Sequence, residues 1–470
     1  MELIAAHAAS DAPAVVTDQG AWSGRQLIAH AAAGADFLDE VGAPVGSPVV
    51  ALLTSTQDAF AMIVGAAATD RCLAPLGPKL TVNELAPCVE ALTAEVIVAE
   101  AASAALGTEL AERTGRRLAV LPELAESTRR LSFDIAPDRP AVILHTSGTT
   151  GLPKPVAYPQ GGLVHRVRVN SALVELGPGK AFATASPFHH IAGVGTMFVA
   201  LGSGAAMMSL PRFDIDSWRA LAGRGVTNAL IVPTMIEMLL DANALALPGL
   251  RVLQYGASPI RPETLARAME ALPGVRFVNL FGQTEGSPVT ALTVEDHRLA
   301  AAGRPELLAS VGRAAPGVEM YIDQPGPDGV GEVHARAAHF FRPDADGWLR
   351  TGDLGRIDDE GYLYLSGRKG DKIIRGGENV YPIEVETVLA GHPTIAEVCV
   401  FALPDATYGE RVAAAVVPKP GVELPPWDDL RAFARRSLAG FKVPTHWEVR
   451  ASLPRNAAGK VLRLQVILDR

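Results

Sequence analysis

Up to about Val311, short and nearly continuous apolar runs alternate with segments of helical pattern. "DFLDEVGAPVGSPVVALLTST" reads as a helix end, a turn and a buried strand, and "VEALTAEVIVAEAA" repeats helix then strand. "LRVLQYGASPI" gives a further strand after a helix expected over Pro233 to Asp241. Strands that are apolar on both faces and separated by helices predict parallel sheets covered by helices on each side. Beyond Val311 the texture changes. "EMYIDQPGPDGVGEVHARA" and "GYLYLSGRKGDKIIRGG" are short alternating strands broken by Gly, Pro and Asp, which predicts a small β-rich unit. The end of the chain is mixed. "PIEVETVLAGHP" and "DDLRAFARRSLAG" read as helices, "EVCVFALP" and "VAAAVVPKP" as strands, and a boundary is expected near Arg368 to Asp371, where glycine and charge cluster.

Composition narrows the classes. A chain of 470 residues, 48% hydrophobic and 20% charged, predicts two or three domains of a globular enzyme rather than a disordered protein. The 51 acidic against 42 basic residues give a formal charge of −9, which disfavours a broad nucleic-acid surface. Cys72, Cys88 and Cys399 are far apart and lack metal-ligand spacing, so reduced thiols and a cytoplasmic location are expected. The uncharged stretch Gly195 to Leu210 is interrupted by Gly202 and Gly204. It is too short to cross a bilayer and is expected to be buried helix and strand.

The chemistry lies where strands end. After the run Ala141 to Leu144 comes "HTSGTTGLPKPV", in which Thr146, Ser147, Thr149 and Thr150 supply hydroxyls, Gly148 and Gly151 allow close backbone approach, and Lys154 adds a cation. A donor-rich loop with one positive charge suits a phosphate-like anion, and a solvated turn is the plainer alternative. The spacing is not that of a Walker loop. "YGASPI" sets Gly256, Ala257 and Ser258 after a strand, where small residues let a flat ring lie on the backbone. "LFGQTEGSP" sets Thr284 and Glu285 between Gly282 and Gly286, and a carboxylate in a glycine loop suits Mg²⁺ bridging phosphates. "RTGDLG" offers Asp353 in a tight turn, able to accept two hydroxyl protons, and "LPRNAAGKVLR" carries Lys460 after a glycine. Each of these is commonplace alone.

In this order, from about Pro13 to Arg463, the motifs resemble those of the adenylate-forming superfamily: acyl-CoA synthetases, peptide-synthetase adenylation domains and beetle luciferases. The chain looks most like an AMP-forming acyl-CoA synthetase. The resemblance implies an α/β fold. A large N-terminal domain (1–369) of parallel-type sheets packed with helices, plus a small β-barrel-like unit, would bind ATP and the acid. A small mobile α+β C-terminal domain (370–470) would carry the catalytic lysine. It implies that Thr146, Ser147, Gly148, Thr149, Thr150 and Lys154 handle the β- and γ-phosphates. Gly256, Ala257 and Ser258, with Phe281 and Gly282, would face the adenine. Thr284 would contact the α-phosphate or acyl oxygen, Glu285 would hold Mg²⁺, and Asp353 and Arg368 would bind the ribose. Lys460 would bridge carboxylate and α-phosphate in the first half-reaction, formation of acyl-AMP and pyrophosphate. The second is attack of a thiol, CoA in the favoured reading, with Gly376, Gly377 and Glu378 lining the pantetheine tunnel after rotation at a hinge that falls on Gly370.

The chain departs from the family pattern in several places: Pro155 stands where a glycine is usual, Gly370 where Asp or Lys is usual, and the segment "GEVHARAAHFFRPDADGWLRTGD" is shorter than its usual counterpart. The acid pocket is expected from "PFHHIAG" and "NALIVPTM", with His190, Ala192, Gly193, Val232 and Gly256 as its wall. His189 and His190 would otherwise be core histidines. Relatives that activate amino acids place an aspartate near this helix. His, Ile, Ala and Gly stand here instead, which points to an uncharged fatty, aromatic or alicyclic acid. The alternative acceptors are a separate acyl carrier protein or an amine. Neither nucleic acid nor a membrane is expected as partner, and the protein is expected as a monomer or homodimer.

Overall fold

The computed structural model describes residues 1–147, 153–210, 212–376, 378–455 and 461–469, and the backbone alone of Ser147. Over these residues the chain divides into two compact units, one of 1–319 with 335–349 and one of 320–334 with 350–470.

The first unit holds two sheets. The larger has nine strands, in the order Arg313–Ala314, Gly286–Leu292, Arg276–Gln283, Val252–Gly256, Asn228–Ile231, Ala181–Thr184, Ala206–Ser209, Pro13–Thr17 and Gly20–Ser23. Its interior pairings are parallel and its edges antiparallel. The other has six strands, Arg117–Val120, Val96–Ala99, Pro48–Leu52, Cys72–Pro75, Pro140–Ser147 and Pro153–Pro159. The central strands are buried along their whole length, as the apolar runs predicted. Helix Gln57–Ala68 is buried on almost every side, because "QDAFAMIVGAAA" carries one charge among small and apolar residues. Such a helix belongs between layers, and it shares one core with strands of both sheets. Each of its large side chains, such as Phe60 and Ile63, gains roughly 1.5–3 kcal/mol from leaving water.

The stretch Gly195 to Leu210 is buried helix (Thr196–Gly202) followed by buried strand (Ala206–Ser209), as expected. Strand Pro153–Pro159 lies at a sheet edge, and its prolines at 153, 155 and 159 fall on alternate positions. The missing donors therefore share one side, which the open edge tolerates. This is a structural reason for Pro155.

The second unit carries a four-stranded sheet (Glu319–Asp323, Gly331–Arg336, Leu349–Ile357, Leu363–Arg368) and a second sheet built on the long antiparallel pair Ile395–Asp405 and Gly409–Pro418. Helices Pro382–Ala390 and Trp427–Arg435 cover the latter, with Val385, Leu389, Leu430 and Ala434 buried against Val400, Val412 and Ala414. The elements expected after Val311 are present. One expectation is corrected: Asp353 lies inside strand Leu349–Ile357 and not in a turn, because Gly352 at φ +70° bends the chain within the strand while pairing continues to Ile357.

Candidate active site

In a parallel sheet every strand ends on the same edge, and loops after those ends form a crevice. Strands Ala181–Thr184, Asn228–Ile231, Val252–Gly256 and Arg276–Gln283 are successive parallel neighbours. The segments that follow them are those singled out in the sequence: His189 to Gly193, Val232, Gly256 to Ser258, and Thr284 with Glu285. The fold thus gathers the expected acid-wall, adenine and metal residues on one edge.

Strand Arg276–Gln283 does not run into a loop. Gln283 pairs with Gly286 across an antiparallel hairpin, leaving Thr284 and Glu285 as its two-residue tip. Sequence reasoning took this as a glycine loop, since two glycines and a proline mask the strand pattern. Gly282 is needed for close approach: a Cβ there would stand 2.8 Å from Gly286 O and from Ser287 Cα. The tip is held from several sides. Tyr158 Oη donates to Thr284 O at 2.5 Å, Phe341 N to Glu285 O at 2.8 Å, and Arg166 to Ser287 O. These holders were missed. Tyr158 reads as one residue of an edge strand, and Arg166 in "VHRVRVN" as one cation on a polar helix face.

At the end of strand Val252–Gly256, Gly256 pairs with Leu280, and Asn279 Nδ2 donates to Tyr255 O at 3.1 Å. Ala257 adopts φ +68°, a left-handed conformation that costs a non-glycine residue of order 1 kcal/mol or more and is met mostly where function over-determines the backbone. Tyr255 is tied through its hydroxyl to His297 Nε2 at 2.9 Å.

The strand before the expected phosphate loop is longer than the sequence reading gave it. Strand Pro140–Ser147 continues through Thr146 and Ser147, pairing Thr146 with Lys154 and Ser147 with Pro153. Gly148, Thr149 and Thr150 lie outside the described residues, as do Gly377 and Lys460. Lys154 is exposed and has no carboxylate partner among the described residues, so its ammonium is available to an anion.

His189 and His190 lie ring against ring, 4.3 Å between centroids. Burial, then the neighbouring His190 and Lys79, push His189 down to about 3; burial lowers His190 as well. Both are neutral at pH 7. A Cβ on Gly77 would stand 3.0 Å from His189 Nε2. Ala192 is half-buried and Gly193 buried beside them.

In the second unit, Asp353 and Arg368 are cross-strand partners joined at 2.6 Å (Nε to Oδ1). Beside them Glu332 accepts from Gly352 N at 3.1 Å and pairs with Lys369 Nζ at 2.7 Å. Gly376 turns at φ +60° and Glu378 is exposed in strand Glu378–Val380.

The model for AMP-binding enzymes matches residues 4–343, and that for the AMP-binding enzyme C-terminal domain matches 384–460. The chain is an AMP-binding enzyme of the adenylate-forming superfamily. This AMP-binding enzyme is 32% identical to the fatty acid–[acyl-carrier-protein] ligase ScoC of Streptomyces coeruleorubidus, over 97% of this chain and 92% of that one. It is 29% identical to the long-chain-fatty-acid–CoA ligase FadD13 of Mycobacterium tuberculosis, over 93% and 91%. Among solved structures it is similar to the amide bond synthetase McbA of Marinactinospora thermotolerans, with a TM-score of 0.88 and 29% identity over 99% of this chain and 98% of that one. The shared activity of such ligases is ATP-dependent adenylation of a small-molecule acid, and this AMP-binding enzyme carries it.

The residues fit nucleotide and metal. Mg²⁺ keeps several waters and takes phosphate oxygens, so one protein carboxylate on a fixed backbone suits it, and Glu285, whose backbone carbonyl accepts from Phe341 N at the hairpin tip, is such a group. No helix among the described residues is long and apolar enough to cross a membrane.

Proposed function

We propose that this enzyme activates an uncharged fatty, aromatic or alicyclic carboxylic acid as acyl-AMP, releasing pyrophosphate, and passes the acyl group to CoA. The observation that carries the reading is that the segments singled out in the sequence follow neighbouring parallel strands and so share one edge of the sheet. A clamped Thr284–Glu285 tip, a strained Ala257 and a neutral histidine wall stand on one strand edge.

Joining a carboxylate to a triphosphate brings two anions together, so the barrier is mainly charge crowding at the α-phosphate. Lys154 and the hydroxyls of Thr146, Ser147, Thr149 and Thr150, with Gly148, receive the leaving pyrophosphate in this reading. Thr284 orients the α-phosphate or acyl oxygen, and Glu285 holds Mg²⁺, which when bound neutralises phosphate charge. Gly256 to Ser258, Phe281 and Gly282 seat the adenine, and Asp353 with Arg368 the ribose. Lys460 bridges the attacking carboxylate and the α-phosphate. His190, Ala192, Gly193 and Val232 wall the acid; with no aspartate there and both histidines neutral, an ammonium finds no partner. Gly376, Gly377 and Glu378 guide the thiol.

A second acceptor is favoured by one observation, the acyl-carrier-protein ligase that aligns over 97% of this chain. The test is acid-dependent ATP–pyrophosphate exchange across a panel of acids, then mass spectrometry of products with CoA, a carrier protein or an amine. Exchange with apolar acids and an acyl-CoA product supports the proposal; exchange confined to amino acids, or product only with carrier or amine, overturns it. Lys460→Ala should depress exchange by about 10²–10³-fold and spare thioester formation from supplied acyl-AMP. Near-normal exchange in that variant removes Lys460 from the mechanism.

A further inference from the structure

Helix Gln160–Leu173 buries a cation. Arg166 is 5% exposed, and burial pushes its pKa down to about 10, so it stays charged at neutral pH. Among the described residues no carboxylate pairs with it. An unpaired buried charge is among the most expensive groups a fold can hold, and such groups concentrate where chemistry uses them.

Its surroundings show what the charge touches. One terminal nitrogen donates to Ser287 O, two residues beyond Glu285. Nε has no hydrogen-bond partner among the described residues. The other terminal nitrogen and Nε lie 3.0 and 3.2 Å from where a Cβ on Gly195 would stand, in the turn that follows the histidine wall. Three further donors act on the same backbone: Tyr158 Oη on Thr284 O, Phe341 N on Glu285 O, and His339 Nε2, 2.8 Å from Pro288 O. Four carbonyls of the hairpin, at 284, 285, 287 and 288, are each capped from outside it. Arg166 is the only permanent charge in the set, and it also abuts the acid-side turn at Gly195.

We propose that Arg166 is a positioning residue for adenylation: through Ser287 O it fixes the tip that carries Thr284 and Glu285, and it lends that tip positive potential. A hydrogen-bonded partner behind a metal-holding group typically affects activity or metal affinity by about 10–100-fold. The proposal rests on the reading of Glu285 as the Mg²⁺ carboxylate.

The test compares wild type with Arg166→Met, Arg166→Lys and Glu285→Gln. Amide hydrogen exchange across 283–288 is measured without nucleotide, together with the Mg²⁺ dependence of pyrophosphate exchange. Arg166→Met removes an unpaired buried charge and should keep its thermal midpoint. Its hairpin amides should exchange at least about 10-fold faster while helix Gln57–Ala68 is unchanged. kcat for pyrophosphate exchange should fall about 10–100-fold and half-maximal Mg²⁺ should rise, with the acid KM within about twofold. Arg166→Lys should recover part of the rate; if Arg166→Met does not fold, the same measurements on Arg166→Lys decide, with smaller changes expected. Unchanged hairpin exchange, or unchanged kcat and Mg²⁺ dependence in a folded variant, overturns the proposal. If Glu285→Gln keeps the wild-type Mg²⁺ dependence, the metal reading of Glu285 fails, and hairpin exchange alone then decides Arg166.

Discussion

Lys154 shows how much one position can say. In the sequence it is one lysine after a run of hydroxyls and glycines; in the structure it stands opposite Thr146 at the neck of the 148–152 segment, exposed and with no carboxylate among the described residues. A lysine committed to a surface ion pair would gain little from it, so an uncommitted one beside a run of hydroxyl residues in the sequence has its charge in reserve for a ligand. A charge-assisted bond to phosphate contributes roughly 1.5–3 kcal/mol, which is about 10–100-fold in affinity. Lys154→Ala should raise the KM for ATP in pyrophosphate exchange by that factor and leave the acid KM nearly unchanged. An ATP KM within twofold of wild type would show that the ammonium does not reach the nucleotide. By contrast the buried thiols are out of the chemistry: burial pushes Cys72 and Cys399 up to about 12 and Cys88 to about 11, which leaves them protonated and unreactive.

At the scale of elements, apolar runs were legible because burial on both faces leaves no polar alternation to confuse, as in "CLAP", "VIVA" and "AFAT". The site's strand-end segments were legible for the same reason: the strand signal stops where the glycines and hydroxyls begin. What escaped notice was tertiary. Nothing local marks Tyr158 or Arg166 as clamps, because their partners are 126 and 121 residues away. The hairpin at Thr284–Glu285 escaped because Gly282 and Gly286, there for close approach, look like loop residues. Gly370 is the converse case. It sits in the short 3₁₀ turn Lys369–Asp371, and a Cβ there would meet nothing within 4 Å. Its φ is not among the left-handed values, so this conformation does not require glycine. The residues around it are tied: Arg368 to Asp353, Lys369 to Glu332, and Asp371 to Arg463. A free joint between fixed neighbours is where a backbone switch would be placed. Gly370→Ala should therefore leave thermal stability and pyrophosphate exchange unchanged, whereas Gly370→Pro should spare exchange and cut thioester formation at least about tenfold. Equal loss of both half-reactions in the proline variant would remove the hinge role.

At the scale of the whole molecule, the histidines of the first unit set a pH limit on the fold. His145, His189 and His297 are pushed down to about 4, about 3 and about 4, in each case chiefly by burial. In the unfolded chain each titrates near its ordinary value of about 6.5. Above pH 7 both states leave these rings neutral, and their contribution to stability is at its plateau. As pH falls below about 6.5 the unfolded chain takes up protons that the folded chain refuses, so stability falls. The loss continues until the folded rings protonate, His145 and His297 at about 4 and His189 at about 3, where their contribution levels off. Each ring contributes a slope approaching about 1.4 kcal/mol per pH unit once the unfolded form is fully protonated. Asp39, held down by Arg129 and Arg71, enters only near and below its ordinary range, whereas burial raises Asp58, which acts above its ordinary range and with the opposite sign. Between pH 7 and 5 the N-terminal amine, also lowered by burial, acts in the same direction as the histidines, so a single histidine is read by difference between variant and wild type. His297 is the one to remove, being 2% exposed and holding Tyr255 Oη and Thr293 O at 2.9 and 2.7 Å, contacts that a glutamine amide can replace in part. Urea titrations of wild type should show the midpoint falling steadily from pH 7 to 5 at constant m. In His297→Gln the stability at pH 7 should be lower, and the slope against pH shallower by close to one proton, about 1.4 kcal/mol per unit toward pH 5. Parallel slopes for the two proteins would mean that His297 is protonated in the folded state, and that burial does not hold it neutral.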